Sequence, residues 1–299
     1  MRPIGRLALL AGAGMVVSTV FTFAGGQAAP PPAARPAAPA ARPAAQAARP
    51  AAGGSQMPRT PEGKPDFSGI WQALNTAAWD IQDHNSALAG YLGVPPGRGV
   101  VEGNEIPYKP AALAQKKKNF ENRLTADPVE KCYLAGFPRT IYLPYPFQIL
   151  QTPDAVIILS EYVHTWRWIP TVPYARYEGY DSWLGDARGH WEGDTLVVES
   201  IGFNDQTWFD HVGDFHTDAL KLTERFTRTA SDTITYEATV EDPKVFTRPW
   251  KMKMPVYQLK GMSRVLEDEC YLNAEDAGKP IRGSHPEDRG ASAALPKEK

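Results

Sequence analysis

The strongest constraint on the fold of this chain is a series of short apolar runs separated by turn residues. Between about residues 58 and 273 these runs recur at intervals of roughly ten residues, which is typical of antiparallel strands joined by hairpins. Glycine, proline and aspartate favour tight turns at the breaks. Three hairpin turns are predicted, at Thr152-Pro153-Asp154, Glu192-Gly193-Asp194 and Ala230-Ser231-Asp232.

Within the run that follows Asp232, apolar and polar residues alternate, so one face of the strand should be buried. The residues expected to face the core are Ile234, Tyr236, Ala238 and Val240. Two further strands are predicted near the end, at 251–259 and 262–272. The fold class is therefore mainly β, an antiparallel meander that closes as a barrel or, alternatively, forms a β-sandwich.

One segment has the pattern of a helix, near residues 110–125. Pro110 suits a first helical turn, and Leu113, Phe120 and Leu124 fall on one side. We expect this to be the single helix of the β-rich domain.

The chain divides by composition into four parts. Residues 1–28 read as a signal peptide, because Arg2 and Arg6 precede a long uncharged run that ends in small residues. An uncleaved signal anchor is the alternative. Residues 29–57 are rich in Ala, Pro and Arg and are expected to form a disordered spacer. Residues 58–273 form the β domain, and 274–299 are expected to be a disordered polar tail.

These features predict a periplasmic or secreted protein with no stable membrane span after signal cleavage. The N-terminal 57 residues hold five arginines and no acid, which leaves 27 bases and 34 acids elsewhere, a net charge of −7. A surface this acidic does not favour binding to a phosphate backbone. Nucleic acid is therefore not expected as a partner.

The segment PDFSGIW, residues 65–71, contains a Gly-Ile-Trp sequence that resembles the opening of lipocalin-like (calycin) barrels. That resemblance implies a tryptophan, here Trp71, packed across the barrel floor. The segments PDFSGIW, DPVEKCYLAGFPR, GHWEGDTLVVES, GFND and EDPKVFTRPW together resemble a large group of exported bacterial proteins. This second resemblance implies one domain and export, and it brings no assigned catalytic residues.

Familiar catalytic motifs are absent from the sequence, including G-x-S-x-G, H-E-x-x-H, C-x-x-C and the P-loop. Ionisable and aromatic residues concentrate instead at 202–220, in a loop longer than most connections. Aromatic neighbours bring carboxylate and imidazole pKa values toward neutrality, which suits acid/base chemistry. His216, oriented by Asp210 or Asp218, is the predicted catalytic dyad, with Asp205 and His164 as further catalytic candidates. A purely structural loop is the alternative.

Neither a cofactor nor a metal is predicted. A divalent metal, if bound, would take nitrogen and oxygen ligands from the same loop. The ligands in that case would be His211, His216, Asp205 and Asp210. Their spacing matches no familiar metal motif, which is why metal-free chemistry is preferred.

A third group of residues combines aromatic rings with arginine and predicts contacts to a small apolar or aromatic molecule. The predicted substrate-binding residues are Arg139, Tyr142, Tyr145, Trp166, Trp168 and Trp208. Arg139 would hold an anionic end of the ligand. Trp166 and Trp168 share a face of one strand, where filling the barrel core is the alternative role.

Cys132 and Cys270 are the only cysteines. An exported protein meets an oxidising compartment, so a disulfide between them is expected, with two separate buried thiols as the alternative.

Two functions remain open on these grounds. The preferred one is an exported enzyme that acts on a small apolar or aromatic molecule by general acid/base chemistry, as a lyase, isomerase or hydrolase. The alternative is a non-catalytic, lipocalin-like carrier of a hydrophobic ligand. Six ionisable groups among aromatic rings are costly for a carrier that needs only apolar surface, which favours the enzyme.

Overall fold

The computed structural model describes residues 57–85, 96–176 and 179–270. Nine strands lie within these ranges: β1 Gly69–Gln72, β2 Phe147–Gln151, β3 Ala155–Ser160, β4 Trp166–Pro170, β5 Asp186–Glu192, β6 Thr195–Ile201, β7 Lys221–Ala230, β8 Thr233–Glu241 and β9 Trp250–Gln258. The helices are α1, Pro110–Ala126, and the single turn α2, Arg139–Tyr142. Short 3-10 turns occur at Glu102–Asn104 and Val129–Lys131.

All nine strands belong to one antiparallel sheet in the order β4-β3-β2-β1-β9-β8-β7-β6-β5. The sheet curls until its two edge strands approach each other: a Cβ atom added to Gly189 of β5 would stand 2.9 Å from Cγ2 of Ile169 in β4. The sheet is thus a nearly closed barrel, as predicted, and the sandwich alternative is wrong. All three predicted hairpin turns connect neighbouring strands, β2–β3, β5–β6 and β7–β8.

Alternation of buried and more accessible residues along β7, β8 and β9 explains why these segments form the sheet. The four predicted core residues of β8 are all buried. Trp71 is fully buried, and its Nε1 donates to the carbonyl oxygen of Phe67 at 2.8 Å. Side chains fill the barrel beside it and leave a void too small for a water molecule. Those side chains are Phe67, Ile149, Val156, Ile158, Ile169, Leu196 and Phe226.

The tryptophans of β4 do not fill the barrel core, which was their alternative role. Trp166 and Trp168 do share a face, but it is the outer one, where they are 62% and 38% exposed. Arg167 points inward instead and is buried, with its Nη2 2.6 Å from Oε2 of Glu224. A charged partner inside the barrel therefore overrides the preference of tryptophan for the core.

Helix α1 occupies the predicted segment and begins with Pro110. The predicted apolar side is not its buried side, because Leu113 and Leu124 are 50% and 59% exposed. Ala112 and Asn119 are buried instead. The buried face thus includes an amide, whose Nδ2 donates to the carbonyl oxygen of Gly213 at 3.1 Å.

The predicted last strand is also wrong. Residues 262–270 form no strand in the described part of the chain and contribute one isolated bridge, between Tyr162 and Asp268. A disulfide between Cys132 and Cys270, with a sulfur–sulfur distance of 2.04 Å, fixes this segment. The predicted pairing is therefore confirmed.

The predicted signal peptide at 1–28, all of the spacer at 29–57 but its last residue, and the tail at 274–299 lie outside the described residues. Among the residues that are described, none of the helices is long and apolar enough to cross a membrane.

Candidate functional site

Two irregular segments, residues 78–81 and 207–216, meet beside the barrel and carry the closest group of acidic side chains. The amides of His211 and Val212 donate to the carbonyl oxygens of Ala78 and Trp79, at 3.0 and 3.1 Å. The 207–216 loop folds back on itself through a bridge between Trp208 and Phe215. This backbone pairing places Asp80, the residue after Trp79, against the loop.

Asp210 joins the two segments directly. Its Oδ2 accepts from the amide of Ile81 at 3.1 Å, and its Oδ1 accepts from the amide of Asp214 at 3.0 Å. As a result Asp80, Asp210 and Asp214 each offer an oxygen atom within 4.8 Å of the others. We call these three residues, with Lys116 and Tyr108, the carboxylate site.

Lys116 and Tyr108 both contact the innermost acid. The Nζ atom of Lys116 lies 2.8 Å from Oδ1 of Asp214, and the hydroxyl of Tyr108 donates to the same oxygen at 2.7 Å. The second oxygen, Oδ2, is buried and has no hydrogen-bond partner among the described residues. Three acids therefore face one ammonium group in a largely buried setting.

The pKa values reflect this excess of acid. Burial, with the nearby charge of Asp214, raises the pKa of Asp210 well above its ordinary value. Burial also raises the pKa of Asp80, to about 6. Burial disfavours the charged form of Lys116, but the charges of Asp214 and Asp210 outweigh it and raise the pKa of this lysine. At neutral pH the site can therefore both hold and release a proton while Lys116 stays charged.

The carboxylate site is open to solvent on one side. Asp80 and Lys116 line a surface depression of about 410 Å³, together with Leu113, Lys117, Phe120 and Val212. Asp80 is only partly buried, whereas Asp210 and Asp214 are fully buried behind it. A small molecule in the depression would meet the acid with the pKa near 6, an ammonium group and an apolar wall.

A second, charge-balanced group supports both segments from behind. Arg139 donates to both oxygens of Asp127, at 2.7 and 2.8 Å, and to the carbonyl oxygen of Ala78 at 3.3 Å. His211 Nδ1 lies 2.8 Å from Oδ2 of Asp127. Burial opposes ionisation of Asp127, but Arg139 and His211 outweigh it and hold its pKa at about 2. Arg139, predicted to hold the ligand, is instead committed to this buried ion pair.

The predicted dyad of His216 with Asp210 or Asp218 does not form. His216 is buried; its Nδ1 lies 2.9 Å from the carbonyl oxygen of Thr217 and its Nε2 2.7 Å from Oγ1 of Thr207. A carbonyl oxygen only accepts, so Nδ1 carries the proton and Nε2 accepts from Thr207. Burial lowers the pKa of the imidazole. Neither ring nitrogen is directed at a carboxylate, because both are used to hold the loop.

The other acidic predictions lie at the surface. Asp218 is exposed and pairs with Lys244 at 2.5 Å, and Asp205 is exposed next to Gln206. The four predicted metal ligands are therefore not brought together, since only Asp210 belongs to a close acidic group. Within the described ranges, the His, Cys, Asp and Glu side chains close enough to share a cation are Asp80, Asp210 and Asp214.

The aromatic predictions divide between the core and a second depression. Tyr142 is buried and donates to the carbonyl oxygen of Phe209 at 2.8 Å, while Tyr145 packs on Tyr162. Trp208 is half-buried in the loop. His164, Trp166 and Trp168 do come together, at the rim of a groove of about 580 Å³.

Sequence reasoning missed Asp80, Lys116 and Tyr108, and it did not select Asp214. Lys116 lies within a run of three lysines that reads as a solvated helix face, and Asp80 lies far along the chain from the 202–220 loop. Only the backbone pairing between the two segments reveals the group. Comparisons of this chain with protein-family models, with curated proteins and with solved structures found no match.

Proposed function

We propose that this protein is an exported enzyme that acts on a small apolar or aromatic molecule by general acid/base chemistry at the carboxylate site. The observation that carries the proposal is the arrangement of three carboxylates against one ammonium group at the edge of an open depression. A structural ion pair in this fold looks different: Asp127 and Arg139 balance each other through two hydrogen bonds. An unbalanced acidic group next to solvent is typical of a site that transfers protons.

Each residue has a distinct role in this proposal. Asp80 reaches the depression and takes or gives the proton, because its pKa of about 6 lies near working pH. Lys116 stabilises negative charge that develops on the substrate. Burial and the charge of Asp214 raise the pKa of Asp80 to that value, and Asp210 holds the two segments together through the amides of Ile81 and Asp214. Leu113, Phe120 and Val212 supply the apolar wall for the substrate.

Proton abstraction from carbon can be tested before the natural substrate is known. The full chain is incubated in deuterated buffer with a panel of small aromatic ketones and esters that carry an acidic C–H next to the carbonyl group, and exchange is followed by proton NMR. We expect the wild-type protein to accelerate exchange of at least one panel member and Asp80→Asn to lower that rate by about 100-fold or more.

The matched control is Asp154→Asn, which changes the same group in the exposed turn between β2 and β3. Its exchange rate should equal that of the wild type. Equal rates in the Asp80→Asn and wild-type proteins would contradict the proposal.

The proposal needs no metal, and a divalent cation would be held by the same three carboxylates. Loss of exchange on treatment with a chelator, restored by a metal ion, would therefore replace metal-free chemistry by metal-assisted chemistry.

A carrier that holds its ligand within the barrel is disfavoured by the packing. The side chains between β2, β3, β4, β6 and β7 leave no room for a water molecule, whereas a carrier needs an internal cavity of ligand size. Export of the enzyme is supported by the predicted signal peptide and by the disulfide, which suits an oxidising compartment.

A further inference from the structure

A second depression lies away from the carboxylate site and shares no lining residue with it. It has a volume of about 580 Å³ and is formed by the loop and strand at 163–168, the segment 180–185 and Leu134. We call it the aromatic groove. A volume of this size is within the range of small-molecule pockets, about 300 to 1,000 Å³.

Aromatic side chains form its walls. Trp166 and Trp168 are two residues apart on the outer face of β4, so their Cα atoms are about 7 Å apart. Tyr180 and Trp183 line the same groove, and Tyr180 is 71% exposed. Large rings exposed to water on one face are costly for a free monomer and favour contact with a planar apolar ligand.

One buried polar side chain among the lining residues lacks a hydrogen-bond partner in the described part of the chain. Thr165 is 8% exposed, and its hydroxyl oxygen is buried without a partner. Arg167 differs, because it points into the barrel, where Glu224, Ser200 and the ring of Phe137 hold its guanidinium. An unmade hydrogen bond costs stability, so the hydroxyl of Thr165 at the groove indicates a donor for an acceptor oxygen.

The loop that carries Thr165 is held in an unfavourable backbone conformation. Val163 and His164 have φ angles of 45° and 53°, in the left-handed region that a β-branched residue rarely adopts. This conformation turns the chain so that His164 stands at the rim of the groove, with Nε2 3.7 Å from Oε1 of Glu269. Strained backbone positions of this kind cluster at ligand sites.

We propose that the aromatic groove binds a planar aromatic molecule that bears a carboxylate or carbonyl oxygen. The rings of Trp166 and Trp168 contact the face of the ligand, and the hydroxyl of Thr165 donates a hydrogen bond to its oxygen. This site does not depend on the proposed acid/base function.

The test uses the full chain with three probes: cinnamate, which has both the ring and the oxygen; hexanoate, which has the oxygen without the ring; and styrene, which has the ring without the oxygen. Binding is measured by quenching of tryptophan fluorescence and by calorimetry. We expect cinnamate to bind at least about tenfold more tightly than either of the other probes.

Two variants separate the two kinds of contact. Trp166→Ala should weaken cinnamate binding by about tenfold, because it removes one ring wall. Thr165→Val removes only the hydroxyl and should weaken cinnamate by about fivefold while leaving styrene unchanged. Thr165→Val should also unfold at the same temperature as the wild type or a higher one, because the hydroxyl has no partner to lose.

Tyr257→Ala is the control, since Tyr257 is an exposed aromatic residue on β9, outside the groove. Its affinity for cinnamate should equal that of the wild type. The proposal is overturned if cinnamate shows no binding at millimolar concentration, if hexanoate or styrene binds equally well, or if Trp166→Ala and Thr165→Val bind cinnamate as the wild type does. Retained cinnamate binding together with unaltered exchange in Asp80→Asn would remove the proposed enzyme function and leave the groove.

Discussion

At the scale of single residues, Asp80 is unusual because its surroundings favour its neutral form even though it reaches solvent. Burial is the main cause, and the charge of Asp214 adds to it, while Lys116 and the amide of Gln82 act in the opposite direction. The result is a pKa of about 6, against about 3.9 for an aspartate in an unfolded chain. This difference links the site to the stability of the whole fold.

The sign of that linkage gives a measurable pH dependence. Between about pH 4 and pH 6 the folded protein holds a proton on Asp80 that the unfolded chain has released, so this residue makes the protein less stable as pH rises. Asp80→Asn removes the contribution. We therefore expect the free energy of unfolding of Asp80→Asn, relative to wild type, to increase from pH 4 to pH 7.

Urea unfolding at both pH values measures this difference, and Asp154→Asn serves as the control because its difference from wild type should not vary with pH. A constant difference between Asp80→Asn and wild type across the two pH values would show that the pKa of Asp80 is not raised in the folded protein.

At the scale of elements, the carboxylate site depends on close packing between α1 and the 207–216 loop. Gly213 makes this possible: its φ angle is 90°, and a Cβ atom there would stand 2.6 Å from Cβ of Asn119 and 2.9 Å from the backbone nitrogen of Phe120. The same helix carries Lys116, which reaches Asp214 one residue beyond the glycine. The helix and the loop therefore position the two charges together.

Replacing this glycine should separate them. We expect Gly213→Ala to lower the free energy of unfolding by more than about 2 kcal/mol, since it adds a backbone clash to the penalty for a left-handed conformation. Gly193→Ala is the matched control in the turn between β5 and β6, where φ is 59° and the added Cβ has open space. Its loss should be about 1 kcal/mol. Equal losses in urea unfolding would mean that helix and loop are not closely packed at Gly213.

The elements also show how far sequence reasoning extends. Alternation and turn residues predicted the hairpins and the inward face of β8, because burial on one side of a sheet imposes a period of two. The same rule fails for β4, where Arg167 takes the inward position through its pairing with Glu224 on β7. The helical period likewise misplaces the buried face of α1, which contains Asn119. In both elements a polar partner distant in sequence decides the orientation.

The candidate site follows the same pattern. The density of ionisable and aromatic residues identifies the 202–220 loop and points to Asp210 within it. Its true neighbours, Asp80 and Lys116, come from segments about 130 and 94 positions earlier. The sequence predicts a catalytic role for His216, because it does not reveal that both ring nitrogens are already bonded. Their partners are Thr207 and the carbonyl oxygen of Thr217.

At the scale of the whole molecule, side chains fill the interior of the barrel, and both proposed sites lie outside that interior. The carboxylate site is built from connections and from α1, and the aromatic groove combines residues of β4 with the loops before and after it. The acids of the carboxylate site and the strained backbone at Val163 and His164 thus lie outside the strands, whereas the buried Glu224 lies within the sheet and is paired with Arg167. Because these segments lie outside the strands, contacts other than strand pairing must attach them to the barrel.

The disulfide supplies one such attachment. It joins Cys132, which follows the 3-10 turn at Val129–Lys131, to Cys270, and the 138 positions that separate them include strands β2 to β9. In the chain-entropy account, closing a loop of this length stabilises the folded state by up to about 5 kcal/mol. It also holds Glu269 beside His164 at the rim of the aromatic groove.

We expect the double variant Cys132→Ser/Cys270→Ser to unfold at a clearly lower urea concentration than the oxidised wild type, by up to about 5 kcal/mol in free energy, since its unfolded chain is no longer constrained. Adding a reductant should lower the stability of the wild type toward that of the double variant and should leave the double variant unchanged. Equal unfolding midpoints for the oxidised wild type and the double variant would contradict this role, because the connection would then be fixed by packing alone. If the rim of the groove depends on the same attachment, the double variant should also bind cinnamate more weakly while its acid/base exchange stays intact, which separates the two sites within one molecule.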